Sequence, residues 1–383
     1  MKEEKKRMLF HYQSMEGIGY KSLVKLLKYV GAENTDKGQP EYEALAELCK
    51  LSEDALVSLI GKSKTKAFLV GERAKEESFK AYDDMKKKHI TYLSLWEEAF
   101  PDKLRQIYDP PLGLFCYGKL PEKDSLNVAV IGARICSEYG KYVAKEYARI
   151  LAKGGCGIVS GMAFGIDSVG QLSALDAGGY SLGVLGCGVD ICYPKENILL
   201  HERLKKEGGI ISEYPPGTMP KKAYFPMRNR IISALSDAVL VVEAREKSGT
   251  LITADRALEQ GKDVYAVPGR VTDALSYGCN RLIFQGAFVA LSPQEVLADI
   301  LKQKVTITNG LCKPKGEGEA CVHDDVLRVI DVTPCSMQEW YEKYKAFSGE
   351  DMGIAAFSVK VFRLVIDKKV KQIEGSGCYC KVF

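Results

Sequence analysis

The sequence is poor in the groups on which most enzyme chemistry depends. Its 383 residues include four histidines, His11, His89, His201 and His323, and none falls in a glycine-bearing loop, which argues against Ser-His or Cys-His chemistry. The 12 cysteines include no CxxC pair and no histidine at zinc spacing. In a reducing compartment they read as small buried apolar residues, so neither disulfides nor zinc is expected. No apolar run reaches membrane-spanning length, and MKEEKKRMLFHYQ lacks the apolar core of a secretory signal; a cytoplasmic protein without a membrane segment is expected. A GxxxxGK[ST] P-loop is missing, and VIGARICSEYG does not supply GxGxxG, which weakens triphosphate-hydrolase and dehydrogenase readings. The net charge of +4 is too small to imply a partner, so only the local distribution of charge is informative.

What is present is a globular chain, 46% hydrophobic and 27% charged, long enough for two or three domains. Residues 1–96 read as an all-helical domain, because SLVKLLKYV, EYEALAELCK and SEDALVSLIG place apolar residues three and four apart. Within it, Gly17, Ile18 and Gly19 form a turn ahead of Lys21 and Ser22. That turn resembles a helix-hairpin-helix, whose amides meet DNA phosphates, and would look the same if it only packed two helices. YLSLWEEAFPDKLRQIYDPPLGLFCYG, with Pro110 and Pro111, reads as a linker or short covering elements.

Residues 97–301 change character. NVAVIGA, GIVSG, YSLGVLG, GIISE, AVLVVEA and DVYAVPG are apolar strand runs, separated by helical stretches such as KYVAKEYARILAKGG and ITADRALEQGK. Strands apolar on both faces with helical crossovers predict an α/β, Rossmann-like, doubly wound and mostly parallel sheet. Residues 302–320 read as a linker, and 321–383 as helices followed by a hairpin, the order of a winged helix.

Ligands of such sheets bind beyond the carboxyl ends of the strands. The loops there are rich in small residues: Gly132, Arg134 and Ser137 in VIGARICSEYG; Ser160, Gly161, Gly165 and Asp167 in SGMAFGID; Asp190 in LGCGVDICYP; Glu243, Ser248, Gly249 and Thr250 in EAREKSGTLITA. Glycine lets backbone approach an anion and a helix start supplies N–H donors, so the set suggests phosphate or phosphodiester binding. Asp167, Asp190 and Glu243 are acidic candidates, and capping a helix or holding a loop suits them as well as acid-base work.

Between Glu213 and Asp237 there is no acidic residue, while Lys221, Lys222, Arg228 and Arg230 alternate with Tyr224 and Phe225. In YFPMRNRIISAL the arginines are expected near a helix start, where an arriving anion would meet them; the alternative is pairing with neighbouring carboxylates. Cations track a phosphate backbone and exposed rings stack on unpaired bases, so the combination suits single-stranded nucleic acid. Phe225 is equally well placed to be core.

The ordered set VIGARICSEYG, SGMAFGID, LGCGVDICYP, SEYPPG, FPMRNRIIS, VVEAREKSGTLITA, AVPG and GCNRLIFQGA, from about Trp96 to Ala290, resembles the DprA (Smf) family of DNA-processing proteins. The helical N-terminal region, SAM- or helix-hairpin-helix-like, and the winged-helix-like end fit that family more loosely. The resemblance implies a homodimer without catalytic turnover or cofactor that binds and protects single-stranded DNA in natural transformation and loads the RecA recombinase onto it. Carried over by motif, Arg134, Ser160, Gly161, Gly165, Lys221, Lys222, Phe225, Arg228, Asn229 and Arg230 would form the DNA pocket, with Ser248, Gly249 and Thr250 as its phosphate-facing wall. The family's usual Ala-His pair after GID is Gly170 and Gln171 here, so any role of that histidine is absent.

Two other readings compete. Phosphoribohydrolases of nucleoside monophosphates carry PGGxGTxxE after a similar strand; here EKSGTLIT keeps Gly249 and Thr250 but has Thr253 in place of the catalytic glutamate. A nucleotide sensor is the other. GCNRLIFQGAF (Gly278 to Phe288) is a candidate dimer contact or part of the core.

Overall fold

The computed structural model describes residues 2–31, 42–310, 335–348, 353–366, 370–372 and 378–381. They divide into two compact units, Met1–Ile307 and Thr308–Phe383. The first opens with helices α1 (Glu3–Ser14), α2 (Tyr20–Tyr29), α3 (Tyr42–Glu47), α4 (Glu53–Ile60), α5 (Lys62–Arg73) and α6 (Lys75–Lys87). Their three-and-four spacing buries Met8, Leu9 and Tyr12 of α1 with Leu23, Leu26 and Leu27 of α2. Ser52 starts α4 by accepting from the Ala55 N–H.

The sheet follows: β1 (Thr91–Ser94), α7 (Asp102–Arg105), β2 (Gly113–Gly118), β3 (Asn127–Ile131), α8 (Glu138–Lys153), β4 (Gly157–Ser160), α9 (Ile166–Asp176), β5 (Ser181–Leu185), α10 (Ile198–Glu207) and β6 (Gly209–Ser212). It continues through α11 (Tyr224–Leu235), β7 (Ala238–Val241), α12 (Gly249–Glu259), β8 (Asp263–Ala266), α13 (Tyr277–Phe284), β9 (Phe288–Val289) and α14 (Pro293–Gly310). The nine strands lie in the order β1-β2-β6-β5-β4-β3-β7-β8-β9. From β6 to β9 all pairs are parallel; β1 with β2 and β2 with β6 are antiparallel. On β3, Val128 and Val130 face α8 and α9, while Ala129 and Ile131 face α11 and α12, so both faces are covered.

The chain steps outward from β3 to β6, then returns through α11 to place β7 on the other side of β3. The order reverses between β3 and β7, and the loops beyond their carboxyl ends flank the crevice where open α/β sheets bind ligands.

Three expectations are corrected. The stretch read as a linker or short covering elements contains β1 and β2, which extend the sheet by an antiparallel edge. The sheet therefore begins at Thr91, inside the residues assigned to the helical domain. That domain also shares one unit with the sheet: Phe10 packs its ring against Tyr92 and Phe115, and the Gln13 side chain donates to the Gly113 and Glu213 carbonyls at 2.8 Å each. Thirdly, α14 runs to Gly310, through residues read as linker.

In the second unit, β10 (Cys335–Ser336), α15 (Met337–Ser348), α16 (Ile354–Ile366), β11 (Val370–Gln372) and β12 (Cys378–Lys381) enclose Trp340, Tyr344 and Phe357. The strands form an antiparallel sheet in the order β10-β12-β11. DDVLRVIDV, expected to be a helix, lies outside the described residues, as does the end of the expected linker. Among the described residues no helix is long and apolar enough to cross a membrane.

Candidate nucleic-acid interface

The loops beyond β3, β4, β5 and β7 meet the first turns of α11. After β3, Gly132 is buried and its carbonyl accepts from the Thr250 hydroxyl at 3.0 Å, tying this loop to the start of α12. Ser137 caps α8 through the Gly140 N–H and is itself held by the buried Glu243 carboxylate, which accepts from both its hydroxyl and its N–H. Glu243 thus orders the loop, the bland role open to it in the sequence. After β4, Gly161 donates to Asp167 at 3.1 Å, and a Cβ there would overlap the Arg228 guanidinium. Gly165 has φ +77°, and its Cβ would lie 2.5 Å from the Arg134 carbonyl oxygen, so only glycine lets the two loops close on each other. Ser160 points away: it is fully buried, with its hydroxyl on the Val130 carbonyl at 2.7 Å. Asp190 accepts from the Gly217 N–H at 2.8 Å and holds a loop.

The two arginines of YFPMRNRIISAL are not free cations at a helix start. Arg228 and Arg230 are the fifth and seventh residues of α11 and only 5% and 8% exposed. Arg228 donates to the Val184 carbonyl and neighbours buried Asp167. Burial pushes its guanidinium down to about 10, opposed by Asp167 and reinforced by Arg134, so it stays charged at neutral pH. Burial raises the Asp167 carboxyl above its ordinary range, and Arg228 and the Gly161 N–H pull it back. Arg230 pairs with Glu213 at 2.6 Å, with Asp109 at 3.8 Å. Burial likewise raises the Glu213 carboxyl against the pull of Arg230. The carboxylate-pairing alternative is the one realised for Arg230. Asn229 is also buried and reaches the Gly249 carbonyl at 3.4 Å.

What remains open is a different set. Arg134 is exposed and its guanidinium lies 5.7 Å from the centroid of the Phe225 ring. Phe225 is half-buried, with Tyr193 at 5.5 Å on another side and Gly186 beneath it, where a Cβ would come within 3.1 Å of the ring. Lys221 and Lys222 precede α11 and are exposed, Lys221 pairing with exposed Glu16 at 2.7 Å. Gly249 is exposed with nothing near its missing Cβ, and Ser248 caps α12 by accepting from the Thr250 N–H. The structure therefore brings together Gly132, Arg134, Gly161, Gly165, Phe225, Arg228, Gly249 and Thr250, and assigns Ser137, Ser160 and Arg230 to interior bonds.

Sequence reasoning passed over Tyr193, Phe164 and the exposed Arg245 and Lys247 in the loop after β7. All lie in strand-end loops, a position that could have flagged them. It also left the Gln171 position empty of function. Gln171 is fully buried, accepts from the Met162 N–H at 3.1 Å and donates to the Leu182 carbonyl at 3.0 Å, holding the loop after β4 where Met162 adopts φ 54°. Among the described residues, no cluster of His, Cys, Asp and Glu has the arrangement of a metal site.

Comparison with known proteins gives a consistent result. The family model for DNA recombination-mediator protein A matches residues 91–301. The chain is 43% identical over 208 residues to the DNA processing protein DprA of Streptococcus pneumoniae, covering 54% of this chain and 73% of that protein. It is 39% identical over 220 residues to DprA of Bacillus subtilis, covering 57% and 74%. The crystal structure of the S. pneumoniae protein aligns with a TM-score of 0.61 at 34% identity, over 77% of this chain and 97% of that one. DNA processing protein A of Helicobacter pylori, whose structure describes its single-stranded DNA binding mode, aligns with a TM-score of 0.51 at 34% identity, over 56% and 98%.

Proposed function

We propose, from the premise that this chain belongs to the DNA recombination-mediator protein A family, that it binds single-stranded DNA at the strand-end loops and passes it to RecA in recombination during natural transformation. The observation that carries this reading is Phe225, a half-buried ring set between Arg134 and Tyr193 at the mouth of the sheet and preceded by Lys221 and Lys222. A ring held this way offers a stacking surface to any base, and the cations around it follow the backbone whatever its sequence. Arg134, Lys221 and Lys222 are the phosphate contacts in this proposal, Gly161, Gly165 and Gly249 allow close backbone approach, and Arg228 supports the loops from below. Lys247 and Arg245 extend the basic rim beyond β7.

In this reading the protein is a cytoplasmic mediator without catalytic turnover. The hydrolytic alternative loses its support because Thr253, where the glutamate would be, is buried in α12. A homodimer formed through α13 and β9 is part of the proposal: Phe284 is 92% exposed, and Phe288, Val289 and Leu291 extend the apolar surface beside it.

The test is fluorescence anisotropy of labelled oligo-dT, competed by duplex DNA and by AMP across a salt series. Salt-sensitive binding that duplex and AMP barely disturb is expected. Weak oligonucleotide binding with strong competition by AMP would transfer the site to a mononucleotide.

A further inference from the structure

The first unit contains a second concave surface, a cleft of about 610 Å³ between the α1–α2 turn and the segment leading into α11. One wall carries Gly17, Gly19 and Lys21, with Lys64 of α5; the opposite wall carries Glu213, Tyr214, Lys221 and Tyr224. Gly17 has φ +85°, both glycines are exposed with open space where a Cβ would be, and Ile18 between them is buried and anchors the turn. Gly19 starts α2 without any side-chain cap. Lys64 donates to the buried Ser22 hydroxyl at 3.0 Å, and Lys21 lies 4.0 Å from the centroid of the exposed Tyr108 ring, so both ammonium groups are placed. Across from them Tyr214 and Tyr224 stack with centroids 4.0 Å apart.

We propose that this cleft is a second segment of the single-strand track, taking the nucleotides that lie beyond those held at Phe225. The inference rests on the single-strand reading above. Tyr224 and Phe225 are consecutive residues at the start of α11, yet Phe225 packs with Tyr193 and Arg134 while Tyr224 packs with Tyr214 and lines the cleft. The first turn of α11 therefore carries two aromatic surfaces that face different ways, each with a cation beside it, and a strand crossing that turn passes from one to the other. In the cleft, backbone phosphates meet Lys21 and Lys64 and the open glycine turn, and bases lie along the tyrosine stack. The carboxylates there do not oppose this. Of the three that line it, Glu213 is committed to Arg230, Asp109 lies 3.8 Å from the same guanidinium, and the Glu16–Lys221 pair is solvent-exposed, so a phosphate replaces Glu16 at little cost.

The test uses Lys21→Ala with Lys64→Ala in the full chain, and labelled oligo-dT of about six and about twenty nucleotides, lengths that bracket one binding surface and two. The expected result is affinity for the long oligonucleotide lowered about tenfold, with a salt slope smaller by about 1.4, and affinity for the short one unchanged. Phe225→Leu should weaken both lengths. Equal affinities of variant and wild type for the long oligonucleotide would overturn the inference and leave the Phe225 site standing. Wild-type protein that holds neither length would remove the single-strand reading itself, and this inference with it.

Discussion

The ten residues from Lys221 to Arg230 contain four cations, and burial divides them into two pairs. Lys221 and Lys222 precede α11 in solvent, while Arg228 and Arg230, one to two turns on, are enclosed beside Asp167 and Glu213. The charge is the same and the environment opposite. The enclosed guanidiniums are held by the Val184 carbonyl and the Asp167 and Glu213 carboxylates and are screened from solvent, although Nε of Arg228 and Nη1 of Arg230 have no hydrogen-bond acceptor; an exposed ammonium still has its exchange of water for a phosphate to make. The first pair should therefore report on affinity and the second on stability.

The sharpest way to break this contrast is Arg228→Ala. It leaves the Asp167 carboxylate buried without its neighbouring cation and opens a void beneath Gly161, which should cost about 3 kcal/mol or more in urea denaturation. A variant of wild-type stability that no longer binds oligo-dT would instead make Arg228 a ligand group. Phe225→Leu should act in the opposite sense, with an affinity loss of roughly 1 to 3 kcal/mol and a nearly unchanged urea midpoint; if the midpoint falls and affinity does not, the ring is core. For Lys221→Ala with Lys222→Ala we expect a salt slope smaller by about 1.4 and an equal effect on every single-stranded sequence, with stability untouched.

The smallest effect is a pH dependence. The Asp167 carboxyl is raised in the folded state above its ordinary value of 3.8, so in the window just above that value the native protein binds more protons than the unfolded chain. Its contribution is favourable at lower pH and declines as pH rises through the raised value. Comparing urea midpoints of wild type and Asp167→Asn over that window should show the wild type losing ground as pH increases; parallel curves would mean that Arg228 fully compensates the burial.

Much of the sheet was legible because β3 to β8 are short apolar runs bounded by small residues, a signal that survives without tertiary context. β1 and β2 were not, since YLSL and GLFCYG flank Trp96 and the Pro110–Pro111 pair and pair only with each other and with β6. The strand-end loops were legible as a class, and Arg134 and the glycines were located from them, while Phe225 was located from the acid-free basic stretch between Glu213 and Asp237. The fate of the arginines was not, because it depends on Asp167 and Glu213, which reach α11 through the fold rather than along the chain. The same holds for Ser160: a strand-end serine points either to the crevice or to a neighbouring carbonyl, and only the register of β4 against β3 decides.

Gln13 donates to carbonyls of Gly113 and Glu213, the second 200 residues further along the chain. On a ribosome adding about 5–20 residues per second, α1 would wait about 10–40 s for that acceptor. Until then the cleft beside the Gly17–Gly19 turn has one wall. The groove between helices and sheet is thus completed only after the first six strands have been made, and a nascent chain would acquire it and the strand-end loop after β7 within the same short interval of synthesis.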